Sequence, residues 1–216
     1  MSKSILVPCV VVVLAASTVL LGCPGDKSTT SAAPGIQPES ERASQFLASV
    51  GTGTITVLPT LVRTHEGTLY WPASQETVAA FINERGLGIG KTADLKVDLS
   101  SSKGTYQWDM FQSSLELVGE QVAGLVVLTD YVAVLELLVT KTKNGGSAVG
   151  GIQCYIVDSK GEDAFSFLLN ANEKLFKDAQ LVAQDGSKAS KEALIQAATQ
   201  VALAALDKQI KLASAT

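Results

Sequence analysis

Hydrophobic and polar positions divide this chain into three stretches. Ile5 to Leu21 is an almost unbroken apolar run. From Pro24 to roughly Ser44 large apolar residues nearly vanish, and Pro, Gly, Ser and Thr take their place. From about residue 46 apolar positions return with regular spacing, and the spacing predicts elements. Ile55 to Val62 (ITVLPTLV) is β-rich, and Pro59 removes a ladder donor, which suggests an edge position or a bulge. His65-Glu66-Gly67-Thr68 reads as a turn. Tyr70-Trp71-Pro72 then leads to Ser74, the expected N-cap of a helix that places Val78, Phe81 and Ile82 on one face and stops at Gly86. Leu95, Val97 and Leu99 alternate with Lys96 and Asp98, which predicts a short strand over 93–99. Phe111, Leu115, Val118 and Val122 recur at helical spacing, so a second helix is expected over 106–122, closed by Gly124.

The strongest β pattern follows. Leu125 to Leu128 is an apolar run, and Tyr131 to Thr142 reads as a long strand rich in Val and Leu. Asn144-Gly145-Gly146 is a hairpin turn and Ile152 to Asp158 the return strand. Ser159-Lys160-Gly161 turns again into Ala164 to Leu169, with Phe165, Phe167 and Leu169 on one side. Between Asn170 and Ser187, Leu175 and Phe176 suit a short helix and Asp185-Gly186 a turn. A last helix over 187–212 carries the stripe Leu194, Ala198, Val201 and Ala205, widened by Leu206 and Ile210. The predicted fold is α/β (an α+β sandwich): a mixed sheet with a C-terminal antiparallel meander and helices packed on it, in one domain over 46–216.

At the N-terminus, Lys3 precedes the apolar run, the run ends in Leu20-Leu21-Gly22-Cys23, and the chain turns polar at once. This resembles the signal peptide and lipobox of a bacterial lipoprotein. The resemblance implies removal of residues 1–22, acylation of Cys23, and a protein anchored to a cell membrane or outer membrane without spanning it. An uncleaved anchor helix and a plain cleaved signal are the competing readings. A spanning helix takes about 20 apolar residues, whereas this run is slightly short and contains Pro8. Residues 23–45 then read as the lipidated cysteine and a flexible tether, too poor in apolar surface to offset its ordering entropy. About 20 such residues reach roughly 25 Å.

Loss of Lys3 takes the net charge from −4 to −5. No stretch interleaves Lys or Arg with aromatics, which argues against nucleic-acid binding. With Cys9 in the signal and Cys23 acylated, Cys154 stands alone, so no disulfide framework is expected. Its place between Ile152 and Ile156 in an alternating run points to a buried structural thiol.

The order of elements resembles a family of bacterial envelope lipoproteins. It includes the curli-secretion channel lipoprotein (CsgG-like), the lipoprotein activators of penicillin-binding proteins (LpoB-like) and the N-terminal domain of the Tol-system propeller protein. Four pieces carry it. Ile55-Thr56-Val57-Leu58-Pro59 is similar to the family's opening strand, and Gln75 to Gly86 with Leu87 to its first helix and exit. Leu125 to Tyr131 is similar to the strand entering the meander, and Ile156-Val157-Asp158 with Gly161 to its hairpin. The segment 171–188 departs as an insertion, and no amphipathic hairpins mark a channel. The resemblance implies a non-enzymatic module that binds envelope partners.

Motifs for chemistry are weak. Gly86-Leu87-Gly88-Ile89-Gly90-Lys91-Thr92 is glycine-rich, but a Walker loop needs glycine five places before its Gly-Lys pair, where Arg85 stands, and it must follow a strand. Ser100-Ser101-Ser102-Lys103 contains S-x-x-K without a companion K-T-G, and reads as a solvated turn. His65 is the only histidine, and Glu66 beside it points elsewhere if the backbone is extended. Glu116 and Glu120 share a helix face and read as solvated surface. No catalytic residue, metal or cofactor is implied. Tyr70 and Trp71 are the candidate partner contacts, since aromatics on loops are enriched in interface hot spots. The expected partners are the membrane, through Cys23, and an envelope protein, which includes a second copy of the chain in an assembly complex. The alternative is an envelope enzyme acting on cell wall, which calls for a polar cleft with convergent titratable groups.

Overall fold

The apolar faces anticipated along the chain meet on two sides of one mixed sheet. A computed structural model describes residues 41–125 and 127–214; Cys23 and the segments read as signal and tether, up to residue 40, lie outside the described residues. The elements are α1 (Glu41–Ser49), β1 (Thr54–Val57), β2 (Thr60–Thr64), β3 (Gly67–Trp71), α2 (Pro72–Glu84), β4 (Ile89–Thr92), α3 (Gln107–Ala123), β5 (Tyr131–Lys141), β6 (Ser147–Asp158), β7 (Phe167–Asn170), α4 (Lys174–Ala179), β8 (Val182–Ala183) and α5 (Lys188–Ser214). This is the expected α/β class.

β5 is the central strand. β6 pairs with it antiparallel along its whole length, so β1 and β2, both parallel to β5, share its other side. These two are halves of the predicted Ile55–Val62 strand. They part at Pro59, which has no N–H to give; Leu58 still donates to the Ala133 carbonyl at 3.0 Å. Pro59 therefore marks a break inside the sheet, not an edge. Outside β1 runs β4, parallel, and outside β2 runs β3, antiparallel. β7 and β8 both pair with β6. Asp130 ties the sheet at the start of β5, accepting from the Thr54 N–H and hydroxyl at 2.8 Å each.

One face packs Val57, Val62, Leu135, Leu137, Ile152 and Ile156 beneath α1, α2 and α5. The predicted α5 stripe is buried there throughout, and Cys154 lies buried on the same face. The opposite face packs Leu58, Leu61, Val132, Val134 and Val157 against Phe111, Val118 and Val122 of α3. At the far end of α3 a Cβ added to Gly119 would sit 2.2 Å from the Gly161 carbonyl. Helix and turn thus touch backbone to backbone, an approach only glycine permits.

Several expectations are corrected. α1 was not anticipated and takes up residues 41–45 of the predicted tether, because Ala43 and Phe46 insert into the core; Phe46 packs edge-on to Tyr131 at 5.1 Å. β3 replaces the stretch read as turn and helix approach, and α2 starts at Pro72 with Trp71 as N-cap, ahead of Ser74, because proline suits the first helical position. The glycine-rich exit of α2 runs on into β4. Segment 93–99 forms no strand. Val97 and Leu99 are buried as the alternation implied, but side chains serve the backbone between them. Asp98 N–H donates to Gln121 Oε1 at 2.7 Å, and Gln121 Nε2 donates to the Asp98 carbonyl at 2.8 Å. Residues 125 and 127–128 form no strand either, and Leu128 is 93% exposed.

Candidate partner-binding site

The β2–β3 hairpin stands at the sheet margin between two depressions, one on each face. Alternation along β3 sends Tyr70 to the α3 face and Leu69 and Trp71 to the α5 face. The two candidate contacts thus do not sit side by side. Tyr70 is half-buried. It donates to the Val97 carbonyl at 3.1 Å and lies under Lys96, whose Nζ is 5.2 Å from the ring centroid. Burial, and Asp98 after it, hold its hydroxyl above the usual range. Trp71 is half-buried against the α5-side core.

On the α3 face lies a polar cluster that the sequence reading missed. Arg63 of β2, Glu136 of β5, and Gln153 and Tyr155 of β6 converge there. Glu136 and Gln153 are directly opposed in the ladder, and Leu61 opposes Glu136 from the other side. Glu136 is fully buried. Arg63 Nε lies 2.7 Å from Glu136 Oε1 in a salt bridge, although neither atom has a well-aligned hydrogen-bond partner. Burial pushes the Glu136 carboxyl up, with Arg63 pulling it down. The rest of the guanidinium donates to Ser102 Oγ (2.5 Å), the Leu99 carbonyl (3.1 Å) and Ser114 Oγ (3.2 Å). Arg63 therefore pins segment 99–102 and α3 onto the sheet, and Ser102 of the S-x-x-K turn is part of that clamp.

Tyr155 has one proton and two acceptors in reach, Glu136 Oε2 at 2.8 Å and Gln153 Oε1. Gln153 Nε2 has no partner. Turning the Gln153 amide over lets one of its N–H protons go to Tyr155 Oη while Tyr155 donates to Glu136. Burial, then the Glu136 charge, push the Tyr155 hydroxyl well above its ordinary range. Most of the cluster's hydrogen bonds thus run between side chains of the sheet, segment 99–102 and α3. Above it an open depression of about 620 Å³ is walled by residues 63–68, Tyr70 and Asp98 to Ser100.

On the other face a smaller cavity of about 190 Å³ lies between the hairpin, the end of the β5–β6 ladder and the first turns of α5. Val62, Leu69, Trp71, Val139, Leu194 and Ile195 give it an apolar wall. Its rim holds His65, Glu66, Lys141 and Lys191. Lys141 Nζ is 2.6 Å from Glu66 Oε1 and the His65 ring 3.5 Å from the same oxygen. The Lys141 hydrogen bond and charge, with His65 behind them, hold the Glu66 carboxyl below its ordinary range. His65 and Glu66 meet because they occupy the two-residue turn, where extended alternation does not apply.

The remaining candidates are placed plainly. Cys23 lies outside the described residues. Cys154 is buried, its thiol pushed up to about 12 by that burial, which makes it a poor nucleophile. Glu116 and Glu120 are exposed on α3. Among the described residues no group of three or more His, Cys, Asp or Glu could hold a metal ion, and no helix is long and apolar enough to cross a membrane.

No family model matches the chain, and no curated protein does. Solved structures similar to it include the PelC dodecamer from Paraburkholderia phytofirmans, at 14% identity and a TM-score of 0.30, with 69% of this chain and 89% of that one covered. Another is a putative neuraminyllactose-binding hemagglutinin homolog from Helicobacter pylori, at 9% identity and a TM-score of 0.35, with 73% and 85% covered. Likeness of this degree carries no functional argument.

Proposed function

We propose that this protein is a bacterial envelope lipoprotein, held to the membrane by lipid on Cys23, whose α/β domain acts by binding envelope protein partners. The observation that carries the reading is Leu20-Leu21-Gly22-Cys23 at the end of an apolar run behind Lys3, followed at once by a polar segment. Two acyl chains suffice for stable anchoring, since each buried methylene contributes about 0.8 kcal/mol. The domain's resemblance to the curli-secretion and penicillin-binding-protein-activator lipoproteins supports binding over catalysis. So does the cluster around Glu136, whose titratable groups serve the fold.

Crosslinking of the lipidated chain in native envelopes, with identification of what it captures, tests this. Capture of a cell-wall synthase supports an accessory to wall synthesis, and capture of the chain itself in large multiples supports an assembly or secretion complex. Turnover of cell-wall fragments by the purified chain, with nothing captured, overturns the reading in favour of an envelope enzyme.

A further inference from the structure

The sheet has two short strands at the same margin, and they are finished differently. On β4 the outward backbone is occupied: Gly90 N–H donates to Asn83 Oδ1 at 2.9 Å, and Asn83 Nδ2 donates to the Gly90 carbonyl at 3.2 Å. A side chain of α2 thus closes that edge against further pairing. β3 pairs only with β2, and no other backbone–backbone hydrogen bond reaches it among the described residues. Because the two-residue turn closes on Thr64 and Gly67, that pair faces inward, and alternation turns the N–H and C=O of Thr68 and Tyr70 outward.

The 190 Å³ cavity adjoins this open edge, with Leu69 and Trp71 of β3 in its wall. Its size decides what it can take. It exceeds the roughly 150 Å³ that holds a benzene ring, and falls below the roughly 300 Å³ at which small-molecule sites begin. One large aromatic or aliphatic side chain fits; a cofactor does not. Leu69 beside it is 57% exposed, an apolar residue left uncovered at a strand edge. The rim adds a charge preference. Glu66 answers Lys141 at 2.6 Å; Lys191 acts on the same carboxylate only from beyond ion-pair distance, so the rim carries two lysines against one glutamate.

We propose that the open edge of β3 and this cavity together receive an extended segment of a partner protein. Its backbone adds to the sheet at Thr68 and Tyr70, one large apolar side chain fills the cavity, and a neighbouring carboxylate meets Lys191. Strand addition of this kind takes affinity from main-chain bonds and specificity from pockets for alternate side chains. The proposal rests on the reading of the domain as a binding module and names the surface and the partner's chemistry.

The test places a photo-crosslinking benzophenone at Thr68 of the full lipidated chain, and in a control at Glu116, with a lysine-reactive crosslinker applied in parallel. Adducts formed in native envelopes are mapped to the partner peptide. The expected result is a Thr68 adduct to a segment with one large apolar residue near an acidic one. A synthetic peptide of that segment then binds the purified full chain, and Leu69→Asp and Lys191→Glu each weaken it at least fivefold with the melting temperature kept. Should Leu69→Asp fail to fold, the exposed Lys191→Glu decides alone. A Thr68 adduct to a second copy of this chain or to a folded surface overturns strand addition and leaves the binding reading standing, as do adducts at Glu116 alone. Absence of protein adducts by every route overturns both.

Discussion

Beneath α1, α2 and α5 the sheet presents a chiefly apolar face, and α5 answers it with alanines and branched aliphatics. Beneath α3 the same strands present Arg63, Glu136, Gln153 and Tyr155 among the apolar residues. The difference lies in what holds the layers. Area removed from water holds the first face, at roughly 25 cal/mol per Å², and it tolerates apolar side chains of suitable volume. On the second, directed bonds are added to the apolar packing of Phe111, Val118 and Val122, and they fix where segment 99–102 and α3 sit. A buried ion pair adds little net stability, because desolvation offsets its Coulombic gain, but removing one partner is costly.

The largest effect is expected on the apolar face. Ala198 is fully buried in α5, and Ala198→Asp puts a carboxylate where no cation can answer it. A loss of about 4–5 kcal/mol or more is expected, comparable to the whole stability of a marginal domain. Calorimetry of the variant should show no cooperative transition; a folded, soluble variant would mean this face is not packed as described.

On the polar face, Glu136→Ala leaves the partly exposed Arg63 charge without its carboxylate, with an expected loss of about 2–3 kcal/mol by denaturant unfolding. The double change Arg63→Met with Glu136→Leu should recover most of it, since an apolar replacement restores packing without the desolvation cost. If the double variant is no better than the single one, the pair does more than balance its own burial.

The smallest effect concerns pH. Hydrogen bonds from the Thr54 N–H and hydroxyl hold the Asp130 carboxyl below its ordinary value. A depressed folded-state value contributes stability above the unfolded value, and the contribution is lost as pH falls through the folded one. Glu136 is shifted the opposite way, so its share is present at low pH and lost as pH rises through its raised value. Asp130→Asn should therefore flatten the acid limb of the stability curve, by under about 1 kcal/mol for so solvated a group. An unchanged acid limb would contradict the role given to Asp130.

The two faces were also unequally legible in the sequence. Helical and alternating periods report apolar burial, so α3, the β5–β6 hairpin and the α5 stripe could be read directly. The polar cluster could not, because no period marks an ion pair formed across strands far apart in the chain. A signal existed all the same: Glu136 is the only acidic residue in the otherwise apolar run Tyr131 to Val139, and a lone charge there must find a partner. α1 was hidden because its few core residues, Ala43 and Phe46, follow a polar stretch. β3 and β4 were hidden because each is short and pairs along one side only, while segment 93–99 carries a strand's alternation without a strand's partner. Tyr70 and Trp71 read as loop aromatics in the sequence, and the strand β3 that sends them to opposite faces was not visible.

The central claim is that the domain hangs from lipid on Cys23. Intact mass spectrometry of the chain purified from bacterial membranes, beside Cys23→Ser, tests it most directly. The account predicts a wild-type species that begins at Cys23 and carries the mass of two or three acyl chains, while the variant keeps residues 1–22 and carries none. A wild-type chain without lipid mass, or one cleaved elsewhere and processed identically in the variant, would contradict it.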